Sequence, residues 1–263
     1  MNARADARYW DTVGASWGGP PRQTLWRTHS DTINTAWLAG RLPTPAVHRL
    51  LKTDLFDEAL TGGLYPFLSA QAHAVIGVDI SGSTVRTARA RHAPLLSAQA
   101  DVRALPFADA VFDCVVSNST LDHFTSLADI GAGLAEIYRV LRPGGDLLLT
   151  LDNLANPLVA VRNLLPFRPL NVLGIVPYQV GATCGPRRLR RIVTHARFEV
   201  REVGAILHCP RVFAVAAARL LERYGSARVQ QRFLRFLRWF EHLAHWPTCF
   251  RTGYFITIVA RKP

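Results

Sequence analysis

Residues 111–151 read VFDCVVSNSTLDHFTSLADIGAGLAEIYRVLRPGGDLLLTL, and this stretch decides the fold. Val111 to Ser117 is a short apolar run that predicts a strand, Ser126 to Leu141 predicts a helix, and Asp146 to Leu151 predicts a second strand. Strands separated by a helix of this length pair in parallel through a crossover. The alternation extends upstream, with strands at Arg49 to Phe56, Ala74 to Asp79 and Leu95 to Ala100 and helices at Leu64 to Ala70 and Ser83 to Arg91. The expected fold class is therefore α/β, an open sheet covered on both faces.

Downstream the pattern loosens. Pro186 to Ala196 predicts a basic helix opened by its proline, and Phe198 to Val203 and Gly253 to Ala260 predict two late strands. Between those strands lies an insertion at about residues 205–250, with helices expected at Val212 to Arg223 and Ala227 to Trp246. Residues 1–46 carry Tyr9, Trp10, Trp17, Trp26 and Trp37 ahead of the sheet and are expected to form a helical lid on a domain spanning 47–263.

The chain has 263 residues, 49% of them hydrophobic and 19% charged, which suits one substantial core. Its longest apolar stretch, Asn163 to Gly181, is broken by Pro166, Arg168, Pro169 and Pro177, so no bilayer-spanning helix is expected. The first residues carry Arg4, Asp6, Arg8 and Asp11 without the apolar run of a secretory signal, and the expected location is cytoplasmic. Cys114, Cys184, Cys209 and Cys249 show neither disulfide-framework nor zinc-ligand spacing, so reduced thiols and no metal are expected. Charge is divided unevenly: residues 1–150 hold 13 basic and 14 acidic side chains, and residues 151–263 hold 18 and 5.

Ligands of such sheets sit at the carboxyl ends of the strands, near the point where strand order reverses. The first strand runs through Lys52 and Asp54 into Asp57, Glu58, Gly62 and Gly63, where glycines admit close backbone approach. The second ends at Asp79 and Ile80, placing a carboxylate where a ribose diol can be held. The third ends at Asp101 and Val102, a carboxylate and backbone N–H that can face an adenine. The fourth ends in the polar cluster Ser117, Asn118, Ser119, Thr120, Leu121, Asp122 and His123, where a substrate would sit.

On these residues the chain resembles the class I S-adenosylmethionine-dependent methyltransferases, in the broad small-molecule group that includes ubiquinone- and menaquinone-type enzymes. The resemblance rests on Gly77 to Ser81, Ala100 to Phe107, Phe112 to Ser117 and, most specifically, Glu136 to Gly145, where Pro143 stops a helix and Gly144 and Gly145 turn into the next strand. It implies a Rossmann-like sheet of seven strands with the last antiparallel, and S-adenosyl-L-methionine as cofactor. It further implies a cofactor site of Asp54, Asp57, Glu58, Gly62, Gly63, Asp79, Ile80, Asp101, Val102, Ser117 and Asn118. Asp122 and His123 are the candidates for taking a proton from the substrate. One departure stands out. The family's first loop has an acid followed by glycines two, four and six positions later, whereas Asp54 is followed by Phe56, Glu58 and Leu60. The first motif is thus a variant in which Asp57 or Glu58 can meet the cofactor's ammonium, and Lys52 its carboxylate or a neighbouring acid.

The expected reaction is methyl transfer to an O, N or C nucleophile of a hydrophobic or lipid-like small molecule, with residues 9–37, 154–181 and 208–246 enclosing the substrate. Helix 227–246 places Phe233, Phe236, Leu237, Trp239, Phe240, Leu243 and Trp246 on one side and Arg235, Arg238 and other polar residues on the other. Packing of its apolar half onto the sheet or over the pocket is the preferred reading; contact with an anionic membrane is the alternative. Two other functions stay open: an RNA-modifying methyltransferase using the basic C-terminal surface, which the absence of a recognisable RNA-binding module disfavours, and a non-catalytic adenosyl-binding protein. His208 is read as an ordinary packed residue.

Overall fold

A computed structural model describes residues 3–16, 23–44, 46–172, 176 and 178–263, the side chains of residues 3 and 4 excepted. Trp17, Pro177 and the Arg4 side chain lie outside the described residues. Two helices, α1 (Ala3–Ser16) and α2 (Thr24–Ala39), precede β1 (Val47–Thr53). Short helices α3 (Phe56–Leu60) and α4 (Tyr65–Leu68) lead to β2 (Ala72–Asp79), α5 (Gly82–Arg91) and β3 (Leu96–Gln99). Then come β4 (Phe112–Asn118), α6 (Leu127–Val140) and β5 (Leu141–Asp152). Helices α7 (Pro157–Leu164), α8 (Phe167–Val172) and α9 (Pro186–His195) separate β5 from β6 (Glu199–Ile206). Helices α10 (Arg211–Tyr224), α11 (Ala227–Trp239) and α12 (Cys249–Thr252) then lead to β7 (Phe255–Arg261).

The strands form one sheet of order β3-β2-β1-β4-β5-β7-β6, with β7 antiparallel to both neighbours and the β1–β2, β1–β4, β2–β3 and β4–β5 pairs parallel. The expected Rossmann-like, seven-stranded sheet is thus present. Alternation distributes its central side chains to two cores: Cys114, Val116 and Leu148 face one, and Val115, Leu147 and Leu149 the other. The second core is covered by α6, whose Ile130, Leu134 and Ile137 recur at helical spacing and are fully buried. Ser126 caps that helix by accepting the Asp129 N–H.

Strand β5 begins earlier than the sequence suggested. Leu141 pairs with Phe112 and the next partners are Cys114 and Asp146, so Arg142 to Gly145 bulge out between two paired segments. Gly144, at φ 77°, donates its N–H to the Lys262 carbonyl and permits that excursion. Helix 227–246 also differs from expectation: it is α-helical only to Trp239 and continues as a 3-10 turn to His245. Phe233, Leu234, Leu237 and Phe240 pack into the first core, where the helix contacts α2 and α10, while Phe236, Trp239 and Trp246 stay exposed. Cys114, Cys184 and Cys209 are buried free thiols, and Cys249 is half-buried. Among the described residues no helix is long and apolar enough to cross a membrane.

Candidate active site

The carboxyl ends of β1, β2, β4 and β5, with the start of β7, open into a cavity of about 1150 Å³. It lies where strand order reverses between β1 and β4, as expected for this architecture. Tyr9 and Trp10 of α1, Arg27 and Asp31 of α2, side chains from residues 158–170, 176 and 178–182, and the first turns of α10 cover it. The Gln179 N–H donates to the Tyr9 hydroxyl (2.7 Å), joining the first helix to the later loop. The lining from the insertion ends at Arg219, short of the expected boundary at 246.

One end of the cavity is acidic. Asp79 closes β2 and accepts the backbone N–H groups of Leu55 (2.9 Å) and Ser81 (2.8 Å). Asp54 lies beside it and accepts the Phe56 N–H (2.7 Å). Burial pushes both carboxyls above the usual carboxylate range, and the charge of Asp79 raises Asp54 further. Asp31 is pushed up to about 7, first by burial and then by the negative charges of Asp57 and Glu58. Asp57 pairs with Arg27, and Lys52 pairs with Glu58 (2.9 Å). Four carboxylates therefore line this end, and the one lysine there is already engaged by a fifth acid. Such a donor set suits a ligand carrying positive charge next to hydroxyls, and it fits an adenosyl sulfonium with an α-ammonium.

The structure gathers Asp54, Asp57, Asp79, Ile80, Asp101, Val102, Asn118, Asp122 and His123 around this cavity. Four expected residues lie outside its lining. Glu58 is fully buried, bound to Lys52 and to the Leu64 N–H (2.9 Å), so it serves the loop rather than a ligand. Gly63, at φ 53°, folds over that carboxylate: a Cβ there would meet Glu58 Oε1 at 2.6 Å. Gly62, beside it, contacts no cavity surface. Ser117 is fully buried, its hydroxyl accepting from Thr53 (2.9 Å). Of the two roles open to Lys52, pairing with a neighbouring acid is the one realised.

The first loop also explains its own departure from the family pattern. Asp54 has φ 76°, a conformation glycine adopts without strain. Taking Asp54 as the position of the first glycine puts Lys52, two residues earlier, where the family has its acid. Asp101 differs in another way, because its carboxylate is held by Arg103 (2.6 Å), which also binds Asp6 of α1 and Asp129 and lies 4.7 Å over the Phe124 ring. With both oxygens already accepting from Arg103, Asp101 has less capacity for an adenine than a free carboxylate.

In the middle of the cavity, Asp122 accepts from the Ser119 hydroxyl (2.9 Å) and the Asp152 N–H (3.0 Å) through Oδ2. Its Oδ1 is buried and has no hydrogen-bond partner among the described residues. Burial, followed by the charge of Asp152, holds this carboxyl above its ordinary range. The His123 ring meets Trp10 at 4.7 Å and Tyr178 at 5.4 Å between centroids. His208 lies elsewhere, buried between the Thr252 hydroxyl (2.8 Å) and the Ala205 carbonyl (3.1 Å), an ordinary packed histidine.

Sequence reasoning missed Arg27, Asp31, Arg162, Tyr178 and Arg211, all of which line the cavity. They belong to covering helices and loops outside any motif; the sequence places them in the enclosing segments 9–37, 154–181 and 208–246 but singles out none of them.

Comparisons with known proteins agree with the geometry. Residues 59–149 match the profile of the Methyltransferase domain family. A protein of Mycolicibacterium smegmatis described as "Probable S-adenosylmethionine-dependent methyltransferase" is 27% identical over 72% of this chain and 66% of its own length. A malonyl-acyl-carrier-protein O-methyltransferase of Enterobacter lignolyticus is 34% identical over 43% of this chain and 42% of its own. The chain thus spans less than two thirds of these relatives. Among solved structures, the cyclase SpnF superposes with a TM-score of 0.58 at 20% identity, covering 88% of this chain and 80% of that one, a likeness of fold alone. The matched residues 59–149 run from α3 into β5 and include Asp79, Asp101, Asn118 and Asp122 of the cavity, so over this part the chain is similar to the Methyltransferase domain family.

Proposed function

We propose that the chain transfers a methyl group from S-adenosylmethionine to an O, N or C nucleophile on a hydrophobic small molecule. The observation that carries this reading is a single cavity in which an acid-lined crevice opens onto apolar walls formed by residues such as Leu158, Val161, Leu165 and Val215. When bound, S-adenosylmethionine supplies an electrophilic methyl carbon. In this reading Asp79 holds the ribose hydroxyls, Val102 and Asp101 border the adenine, and Asp31, Asp54 and Asp57 face the positive charge. In this reading Asp122 and His123, which line the cavity, take the substrate proton. Trp10, Tyr178 and the covering helices exclude water and align the nucleophile.

Titration calorimetry with S-adenosylmethionine tests the reading. A carboxyl whose native pKa of about 7 exceeds its unfolded value costs the free protein stability as pH rises from about 4 to 7, and a bound cation offsets that cost. Affinity is therefore expected to rise severalfold between pH 5.5 and 7.5, with the rise flattened in Asp31→Asn. Failure of wild type to bind the cofactor at either pH would remove the proposal.

We also propose that the exposed face of α11 meets anionic membrane. Phe236, Trp239 and Trp246 are more than half exposed beside Arg235 and Arg238, an arrangement suited to a charged bilayer interface. In flotation assays with phosphatidylserine-rich vesicles, replacing both arginines by Ala is expected to weaken binding about 30-fold, at about 1 kcal/mol per arginine. Flotation equal to wild type would exclude this face.

A further inference from the structure

Arg211 opens α10 and lines the cavity at the end remote from Asp79. Asp79 ends β2, whereas Asp152 and Tyr254 border the Asp152–Phe255 pairing of β5 and β7. Three strand spacings separate β2 from β5, about 14 Å along the sheet edge. The cavity therefore has an acidic end and a separate basic one.

At the basic end the Arg211 guanidinium lies 4.5 Å over the Tyr254 ring and 5.6 Å over that of Trp26. Arg162 flanks the same tyrosine, bonding its hydroxyl, and is paired with Asp152 at 2.6 Å. Asp152 is the acid of this end, and Arg162 already holds it. Among the described residues, Arg211 has no carboxylate within ion-pair distance. Arg219, two turns further along α10, lines the same cavity. Tyr254, Tyr178 and Asp152 favour the buried guanidinium's charge against its desolvation, yet among the described residues no carboxylate occupies its planar fork, which matches carboxylate or phosphate oxygens.

We propose that Arg211, flanked by Arg162 and Tyr254, is an anion subsite, and that the acceptor is an amphipathic acid whose carboxylate or phosphate docks there while its apolar part lies along α7 and α10. This deepens the methyl-transfer reading and rests on it for the identity of the acceptor, although the subsite can be measured alone. A ten-carbon series distinguishes the head groups: decanoate, decyl phosphate and decanol, titrated into the full-length protein with and without S-adenosylhomocysteine. One or both acids are expected to bind at least tenfold more tightly than decanol. Arg211→Met is expected to bring all three within about twofold while binding S-adenosylhomocysteine as wild type does, and Arg211→Lys is expected to retain part of the preference. Which acid binds more tightly identifies the head group. Equal binding of decanol and both acids by wild type, or a preference that survives Arg211→Met, overturns the subsite. The wild-type comparison stands even if Arg211→Met fails to fold. Acid preference without S-adenosylhomocysteine binding would sink the cofactor reading and leave the subsite standing; the converse would do the reverse.

Discussion

Asp79→Ala is expected to weaken S-adenosylmethionine binding by about 1.5–3 kcal/mol, roughly 10- to 150-fold, the range for losing a charged hydrogen-bond acceptor. The residue closes β2 at the crevice, and its carboxyl is raised by burial despite accepting two backbone N–H groups. A ribose diol donating to this carboxylate would offset the desolvation that the free protein bears. Because Leu55 and Ser81 also donate to it, Ala removes support for the first loop as well as a ligand contact. Asp79→Asn retains an acceptor oxygen and separates the two effects. Calorimetry should show Asn losing most of the affinity that Ala loses, while thermal melting shows Ala as the less stable protein. Lowered stability with unchanged affinity would make Asp79 a loop anchor and remove the central contact of the proposed site.

What was legible in the sequence follows from periodicity. Residues 111–151 carry two apolar runs around a helix whose buried positions recur every three or four residues, and such signals survive without tertiary information. Asp79, Ile80, Asp101 and Val102 were found because strand ends are fixed points of this architecture. The first loop was harder, since its form depends on a salt bridge between residues six apart and on a left-handed Asp54, neither of which has a local pattern. Gly62 and Gly63 looked like a ligand cradle by composition, yet Gly63 closes over Glu58. Asp31 and Arg211 were illegible for a related reason. Their helices reach the cavity only through tertiary packing against the sheet and one another, so their positions in sequence reveal nothing about the charges they face.

The pair Lys52–Glu58 yields the largest expected loss of stability. Its side chains are 4% and 0% exposed, and the two charges meet at 2.9 Å beneath the acidic end of the cavity. Burial alone would lower the Lys52 ammonium, but Glu58 and Asp54 more than compensate and raise it. Lys52→Met leaves the Glu58 carboxylate with only the Leu64 N–H and is expected to cost about 3–5 kcal/mol, as removing one partner of a buried ion pair does. For a domain of this size that corresponds to a melting temperature lower by roughly 6–20 °C. The double variant Lys52→Met/Glu58→Gln keeps the acceptor for Leu64 and removes the stranded charge, so it should recover more than half of the loss. Urea unfolding of wild type, Lys52→Met, Glu58→Gln and the double variant measures the coupling as a double-mutant cycle. If Lys52→Met unfolds with wild type, the pair is not what shapes this loop. Recovery in the double variant would instead show that the lysine found at the family's acidic position acts through Glu58, holding the backbone that presents Asp54 and Asp79 to the cavity.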